Sequence, residues 1–139
     1  TLPRFALATL AGETLHRGTL SDDAPTVLVF FRPSCPYCRH ETRSIRAHEA
    51  LTDTAEVLLV SARPRAALRT FADSLRLRRR SRIRVVRDAA GAAARTFGVD
   101  RVPTTFVYDA DGRLLRRFEG EVEASALYAA LAGSKGAGS

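Results

Sequence analysis

The sequence predicts a three-layer α/β fold in which a central mixed sheet is flanked by helices. Two continuous apolar runs, TVLVFF at residues 26–31 and EVLLVS at residues 56–61, are typical of strands covered on both faces. A helix-compatible stretch follows each run, and strands joined through a helix lie parallel to each other. A late pair of extended segments separated by the turn sequence DADG adds antiparallel strands, which makes the sheet mixed.

The first third of the chain holds a predicted hairpin, the first buried strand and a long helix. Residues 5–7 and 14–16 are short extended segments on either side of a glycine, which favours a hairpin. After the strand at residues 26–31, Pro36 suits a first helical turn because proline lacks an amide hydrogen that would have no partner there. We predict that this helix reaches about residue 51, since three positions recur at helical spacing: Ile45, His48 and Leu51.

The middle of the chain repeats the order of strand and helix. The strand at residues 56–61 precedes an amphipathic helix over residues 64–75, whose apolar positions are Leu68, Phe71, Ala72 and Leu75. Residues 84–87 form a short strand. Asp88 is then able to cap a further helix, which Gly98 ends.

The last elements are strands over residues 104–108 and 113–118 and a helix over about residues 122–131. We predict one domain, residues 1–132, followed by a flexible Gly/Ser/Ala-rich tail, residues 133–139. A chain of this length buries about two thirds of the surface that its unfolded state exposes. It therefore needs no disulfide as a scaffold, and its two cysteines point to chemistry.

The chain carries a formal net charge of +7, and its basic residues are almost all arginine. Such a balance raises the prospect of a nucleic acid, an anionic lipid or an acidic protein as a partner. The densest run lacks the aromatic side chains that stack on single-stranded bases, so we predict a solvated edge or loop and expect no nucleic-acid partner. This run comprises Arg76, Arg78, Arg79, Arg80, Arg82, Arg84 and Arg87.

No stretch approaches the roughly 20 consecutive apolar residues of a membrane span, and the sequence contains no secretory signal peptide. The chain begins with Thr1 rather than methionine, so we expect it to have been processed or cut from a longer precursor. The missing signal therefore does not argue against export.

The strongest chemical signal is the pair Cys35 and Cys38, placed where the strand at residues 26–31 ends and a helix begins. Free backbone amides and the positive end of the helix dipole favour a thiolate at the first position, and Arg32 and Arg39 are close in sequence. We predict that Cys35 attacks a substrate disulfide. Cys38 is then the resolving thiol, since two intervening residues let it reach a mixed disulfide.

Other uses of the cysteine pair stay open. A structural disulfide that closes so short a loop contributes roughly 2 kcal/mol, which is a weak reason to place it at a helix start. A zinc site needs about four ligands, and the histidines do not supply a second ligand pair. They are His16, His40 and His48. We therefore expect no metal and no other cofactor.

A second signal is the tripeptide Val102-Pro103-Thr104, directly before a predicted strand. A proline at this junction, after a C-x-x-C pair and a strand–helix–strand pattern, predicts a cis peptide bond in a tight turn. The neighbouring backbone is then able to pair with an extended substrate segment. The predicted substrate-binding residues are Pro36, Tyr37, Val102 and Thr104.

The segments TVLVFF, CPYC and VPTTFVYDADGRLLRRFEG together resemble the thioredoxin superfamily, and within it the extracytoplasmic TlpA/ResA-like thiol–disulfide oxidoreductases. The likeness covers about residues 5–131 and includes the N-terminal hairpin and an inserted β-α segment over about residues 56–87. It implies that Cys35 is an exposed nucleophile, that Cys38 is a buried resolving thiol, and that Pro103 is the cis-proline facing them.

Glu41 matches an acidic residue that some ResA-like proteins use near the active site, and it shares a helix face with Cys38. A carboxylate there is able to accept or return a proton. The alternative is a solvated carboxylate paired with a neighbouring arginine: Arg39, Arg43 or Arg46. Two positions depart from the family, since Ser34 replaces the usual tryptophan and Val29 replaces the acid of thioredoxins. These departures leave the redox potential and the partner open.

The leading hypothesis is an enzyme that exchanges a dithiol for a disulfide in protein substrates. The resemblance implies a reductant outside the cytoplasm, reset by an upstream redox partner, and leaves room for a membrane tether in the full-length precursor. One alternative is a peroxiredoxin-like thiol peroxidase, which predicts threonine three residues before the peroxidatic cysteine, where this chain has Arg32. Another is a copper-delivery module that binds the ion through Cys35, Cys38 and a histidine.

Overall fold

The computed structural model describes residues 2–20, 23–77 and 82–137, with side chains described as far as residue 132. Within these ranges the strands are β1 (Ala6–Thr9), β2 (Thr14–His16), β3 (Thr26–Phe30), β4 (Glu56–Ser61), β5 (Ile83–Arg87), β6 (Thr104–Tyr108) and β7 (Leu114–Glu119). The α-helices are α1 (Pro36–Ala47), α2 (Glu49–Thr54), α3 (Arg65–Ser74), α4 (Ala92–Phe97) and α5 (Ala124–Ala137).

The strands form one mixed sheet in the order β2-β1-β5-β4-β3-β6-β7. Strands β3, β4 and β5 run parallel and are joined through helices, while the outer pairings are antiparallel. The carboxyl ends of the parallel strands therefore meet the amino end of β6 at one edge, where Phe30 lies opposite Thr104. The predicted mixed sheet, N-terminal hairpin and inserted β-α segment are confirmed.

Apolar side chains pack on both faces of the sheet and produce the three predicted layers. One cluster takes fully buried residues from the helices, including Ile45, Leu51, Leu68 and Leu127. The other is built around Phe97, whose ring centroid lies 5.4 Å from that of Phe30 and 5.3 Å from that of Phe106. Alternate residues of β3 enter the two clusters, which explains why this strand has no polar face.

The helix predicted to continue to about residue 51 is in fact two helices. His48 leaves the helical region at φ −96° and ψ 88°, so α1 ends there. Its Nδ1 atom accepts a hydrogen bond at 3.1 Å from the amide of Leu51 and caps α2. The prediction was wrong about the length of the helix because Ile45, before the break, and Leu51, after it, are buried in the same apolar cluster, which preserves the apolar spacing.

Asp88 caps a helix as predicted, but that helix begins later than expected. Ala89–Gly91 form a 3-10 turn, in which Ala90 has a φ of +57°, and α4 starts only at Ala92. The buried carboxylate of Asp88 accepts hydrogen bonds from the amides of Ala93 at 2.7 Å and Ala94 at 2.9 Å. Gly98, with a φ of +68°, ends the helix.

Replacing Asp88 with alanine is expected to lower the free energy of unfolding by about 2 kcal/mol, because two amides lose their acceptor. Asp88→Asn keeps one acceptor oxygen and is expected to lose about half as much. Urea unfolding measures both changes. The exposed Asp100→Ala serves as the matched control and is expected to stay within about 0.5 kcal/mol of the wild type. An Asp88→Ala protein as stable as this control would contradict the capping role.

The arginine-rich run is only partly described, since Arg78–Arg80 lie outside the described residues. Arg84 and Arg87 belong to β5, which lies between β1 and β4, so this part of the run is not the predicted edge or loop. Strand β1 of the N-terminal hairpin pairs with the last two residues of β5, Val86 and Arg87. Arg84 forms an ion pair with Glu56 at 3.4 Å.

The last helix starts two residues after its predicted beginning and continues to Ala137. The domain boundary at residue 132 and the flexible tail stay predictions. Among the residues that the structure describes, none of the helices is long and apolar enough to span a membrane.

Candidate active site

Two turns meet at the edge formed by the end of β3 and the start of β6. After β3 the chain turns into α1, and the amide of Cys35 donates to the carbonyl of Arg32 at 3.1 Å. Strand β6 begins opposite the last residue of β3 and is preceded by Val102 and Pro103, whose peptide bond is cis as the sequence predicts. Antiparallel pairing of β3 with β6 therefore brings the two turns to the same edge.

Cys35 and Cys38 are free thiols that differ in exposure. Cys35 is half-buried at the N-cap of α1, and Cys38, one turn further along the helix, is fully buried. The backbone amide of Cys38 donates a hydrogen bond to the Sγ atom of Cys35 at 3.2 Å. An amide aimed at the sulfur, together with the helix dipole, stabilises negative charge there. The geometry agrees with the predicted placement of the two thiols, while their roles stay predictions.

Burial raises the pKa of Cys38 to about 12. A hydrogen bond to the Cys35 side chain and the charges of Cys35 and Glu41 add to this increase, whereas a backbone hydrogen bond from Arg32 opposes it. Cys38 is therefore a protonated thiol at neutral pH. Part of the increase comes from the hydrogen bond and the charge of Cys35. The pKa of Cys38 therefore changes when the Cys35 sulfur becomes bonded.

Glu41 lies one turn after Cys38 on α1 and is fully buried. Its Oε2 atom accepts a hydrogen bond from the hydroxyl of Thr105 at 2.5 Å, and its Oε1 atom accepts one from the amide of Val122 at 3.0 Å. Burial raises the pKa of Glu41 to about 7, although the two hydrogen bonds lower it. A buried carboxyl group that titrates near neutral pH is suited to accept and return a proton.

The alternative reading of Glu41 as a solvated carboxylate paired with an arginine is wrong. In the described part of the chain, no arginine forms an ion pair with it. Arg39 instead donates hydrogen bonds to the Pro33 carbonyl at 3.3 Å and the Ser74 hydroxyl at 3.1 Å. Its guanidinium also lies 5.7 Å from the centroid of the Phe71 ring. The side chain of Arg39 is therefore held towards α3, and its hydrogen bonds do not go to the Cys35 sulfur.

Sequence reasoning missed Thr105 and Val122. A polar residue inside a buried strand, directly after the cis-proline turn, is the signal that could have identified Thr105. Val122 acts through its backbone amide, so its side chain gives no signal. The loop that carries it is fastened to α1 by Ser44, whose hydroxyl donates to Glu123 and accepts from the amide of Ala124, both at 2.9 Å.

The predicted substrate-binding residues differ in accessibility. Tyr37 is 65% exposed, and Pro36 beside it is also exposed. Val102 is half-buried, and within the described ranges its backbone amide and carbonyl have no hydrogen-bond partner. Thr104 is fully buried and donates its hydroxyl to the carbonyl of Arg101 at 2.8 Å. The side chain of Thr104 is therefore placed to support the turn and not to meet a substrate.

The histidines are not grouped with the cysteines. His40 lies 3.6 Å from a carboxylate oxygen of Glu121 and 3.3 Å from one of Glu123. Of the residues that the structure describes, no three or more His, Cys, Asp or Glu side chains are grouped to hold a metal ion. The copper-delivery hypothesis thus lacks a third ligand near Cys35 and Cys38 in this part of the chain.

Comparison with protein families matches the AhpC/TSA family over residues 1–117. Comparison with curated proteins gave no match. Among solved structures, the peroxidoxin BcpB from Mycobacterium tuberculosis is 26% identical, with 96% of this chain and 94% of that chain covered and a TM-score of 0.82. A putative thioredoxin from Neisseria meningitidis is also 26% identical, with coverages of 92% and 85% and a TM-score of 0.73.

A secreted disulfide oxidoreductase from Mycobacterium tuberculosis, homologous to E. coli DsbE, is 23% identical, with 93% of this chain and 95% of that chain covered and a TM-score of 0.77. The likeness to this structure confirms the thioredoxin-like fold. The family match spans the hairpin, both cysteines and the cis-proline turn. The chain belongs to the AhpC/TSA family and carries, on a thioredoxin-like fold, a pair of free thiols at the start of α1, the half-buried Cys35 and the fully buried Cys38.

Proposed function

We propose that this protein exchanges its Cys35–Cys38 dithiol with disulfides in protein substrates and acts as a reductant outside the cytoplasm. The observation that carries the proposal is the difference between the two thiols. Cys35 is half-buried and receives an amide hydrogen bond, whereas Cys38 is buried one turn away and followed by a buried carboxyl group. This arrangement suits one sulfur that meets the substrate and a second that releases it.

In the first step the Cys35 thiolate attacks one sulfur of the substrate disulfide. A bond forms between the two sulfurs, the substrate S–S bond breaks, and the second substrate sulfur leaves as a thiolate. The backbone of Val102, which has no hydrogen-bond partner among the described residues, is able to pair with an extended substrate segment, and the exposed Tyr37 is the second predicted contact.

In the second step Cys38 releases the substrate. Once Cys35 is bonded, its charge no longer raises the pKa of Cys38, so the buried thiol loses its proton more readily. Glu41 accepts this proton because its pKa is about 7. The Cys38 sulfur bonds to that of Cys35 and the substrate's remaining sulfur leaves. Two electrons have then passed to the substrate, and the enzyme holds a disulfide.

An upstream redox partner must return two electrons to the enzyme. The likeness to a secreted disulfide oxidoreductase supports a location outside the cytoplasm. Measuring the redox equilibrium of the cysteine pair with glutathione gives the reduction potential of the pair, which tests the direction of electron flow. A reduction potential near about −270 mV supports a reductant, and one near about −120 mV supports an oxidant.

A thiol peroxidase is the second candidate, because the peroxidoxin BcpB has the same fold and is 26% identical. In that reaction the Cys35 thiolate reduces a peroxide and becomes a sulfenic acid, which Cys38 then converts to the disulfide with loss of water. Against this candidate, Arg32 occupies the position three residues before Cys35 where a threonine is expected.

One experiment separates the two candidates. The reduced protein is expected to reduce insulin and glutathione disulfide and to leave hydrogen peroxide unconsumed on the same timescale. Protein alkylated at both cysteines serves as the control for each assay and is expected to be inert. Rapid consumption of peroxide without disulfide reduction would replace the proposed function with the peroxidase.

A further inference from the structure

A pocket of about 250 Å³ opens at the carboxyl ends of the parallel strands, and the exchange steps do not use it. Its lining is mostly apolar and includes Phe30, Phe31, Val60, Ala94, Val99 and Val102. Small-molecule sites in proteins occupy roughly 300–1,000 Å³, so this pocket is small for a cofactor. Its volume and lining suit one aliphatic side chain of another protein.

The pocket shares two lining residues with the turns that form the exchange site. Arg32 lines it, and the carbonyl of Arg32 accepts the hydrogen bond from the Cys35 amide. Val102 also lines it and directly precedes the cis Pro103. A substrate segment that pairs with the Val102 backbone therefore passes the mouth of the pocket. Because alternate residues of an extended segment point the same way, a residue near the substrate cysteine is brought over the pocket.

The rim of the pocket is positively charged. Arg32 and Arg63 line it and are exposed, and within the described residues neither forms an ion pair. Asp88 also lines the pocket, but both of its carboxylate oxygens accept hydrogen bonds from the amides of Ala93 and Ala94. The apolar lining of the pocket is complementary to an aliphatic side chain of a substrate, and the two arginines at its rim are complementary to an acidic residue beside that side chain.

We propose that this pocket is a specificity subsite of the exchange reaction. It takes an aliphatic side chain of the protein substrate, within about two residues of the reactive cysteine, beside a carboxylate that meets Arg32 and Arg63. The proposal rests on the proposed function and names the chemistry of its substrates.

Peptides that each carry one cysteine, joined by a disulfide to free cysteine, test the subsite. One position beside the cysteine holds leucine or serine, and the position on the other side holds glutamate or lysine, which gives four peptides. The reduced enzyme is expected to react at least about tenfold faster with the leucine–glutamate peptide than with the serine–lysine peptide, because one aliphatic side chain becomes buried. The preference for glutamate is expected to be about threefold and to weaken as salt is added.

Two variants assign these preferences to the pocket. Ala94→Leu fills it from α4 and is expected to remove the preference for leucine. Arg63→Glu is expected to reverse the preference between glutamate and lysine. Both variants are expected to react with bis(2-hydroxyethyl) disulfide, which is too small to reach the pocket, at the wild-type rate. Arg113→Glu makes the same charge change at the opposite end of β6 and is the matched control, expected to keep the glutamate preference.

The outcomes separate the subsite from the exchange activity. If bis(2-hydroxyethyl) disulfide does not react with the wild type, the proposed function fails and the subsite fails with it. If it reacts but the four peptides react at equal rates, exchange stands and the subsite is overturned. If Ala94→Leu does not fold, Arg63→Glu still tests the subsite. An unchanged preference for glutamate over lysine in Arg63→Glu overturns the subsite.

Discussion

Replacing Cys35 with serine is expected to abolish disulfide exchange, with a loss of at least about 10³-fold in rate, because no other thiol in the chain reaches the surface. Cys38→Ser is expected to behave differently. It keeps the attacking sulfur but cannot release the substrate, so it accumulates a mixed disulfide through Cys35. Mass spectrometry of the protein after mixing with oxidised insulin measures the captured chain.

The double variant Cys35→Ser/Cys38→Ser is the control for capture and is expected to retain no substrate. Dithiothreitol is expected to free the chain captured by Cys38→Ser, since the linkage is a disulfide. A mixed disulfide formed through Cys38 in the Cys35→Ser protein would reverse the two assigned roles. Full activity of Cys35→Ser would refute the mechanism.

Glu41→Gln is expected to slow the release step by about 100-fold, because the buried Cys38 thiol loses its proton acceptor. The variant should also lose the dependence of the release rate on pH near 7, where the pKa of Glu41 lies. Glutamine is able to keep both hydrogen bonds, with its oxygen accepting from the Val122 amide and its nitrogen donating to the Thr105 hydroxyl. Attack by Cys35 is expected to proceed at the wild-type rate. An unchanged release rate in this variant would remove Glu41 from the mechanism.

The same variant is expected to change how stability depends on pH. A rise in pKa from 4.5 to about 7 means that the folded state holds a proton that the unfolded state has released, so wild-type stability falls across this window. The shift corresponds to roughly 3 kcal/mol, which the wild type is expected to lose relative to Glu41→Gln between pH 4.5 and pH 7. Urea unfolding at several pH values measures the difference. The exposed Glu13→Gln is the control, expected to follow the wild type.

Those features of the fold that depend on local pattern could be predicted from the sequence. Strands β3, β4 and β6 are buried on both faces of the sheet, and the continuous apolar runs in β3 and β4 are typical of such strands. The cysteine turn was also predictable, since Pro36 and the strand that precedes it fix the start of α1. The order of motifs likewise sufficed to predict the cis bond at Pro103.

The surroundings of Glu41 could not be predicted in the same way. Its hydrogen-bond partners lie 64 and 81 residues away in the sequence, and one of them acts through a backbone amide. Its burial depends on how α1, β6 and the loop before α5 pack together, which composition does not reveal. The pocket beside the cysteine turn was missed for the same reason. It is lined by three strand ends and α4, so no single segment of the sequence predicts it. The break at His48 was hidden by apolar spacing that continues across it.

The hairpin of β1 and β2 has a consequence for how this protein meets others. It pairs with β5 through Ala8 opposite Arg87 and Thr9 opposite Val86, so the carboxyl end of the outermost parallel strand is covered. An uncovered β5 would offer its free amides and carbonyls to strands of neighbouring molecules, which is a route to self-association. The proposed function has extended substrate segments pair with the backbone at Val102, and the hairpin limits such pairing at the carboxyl end of β5.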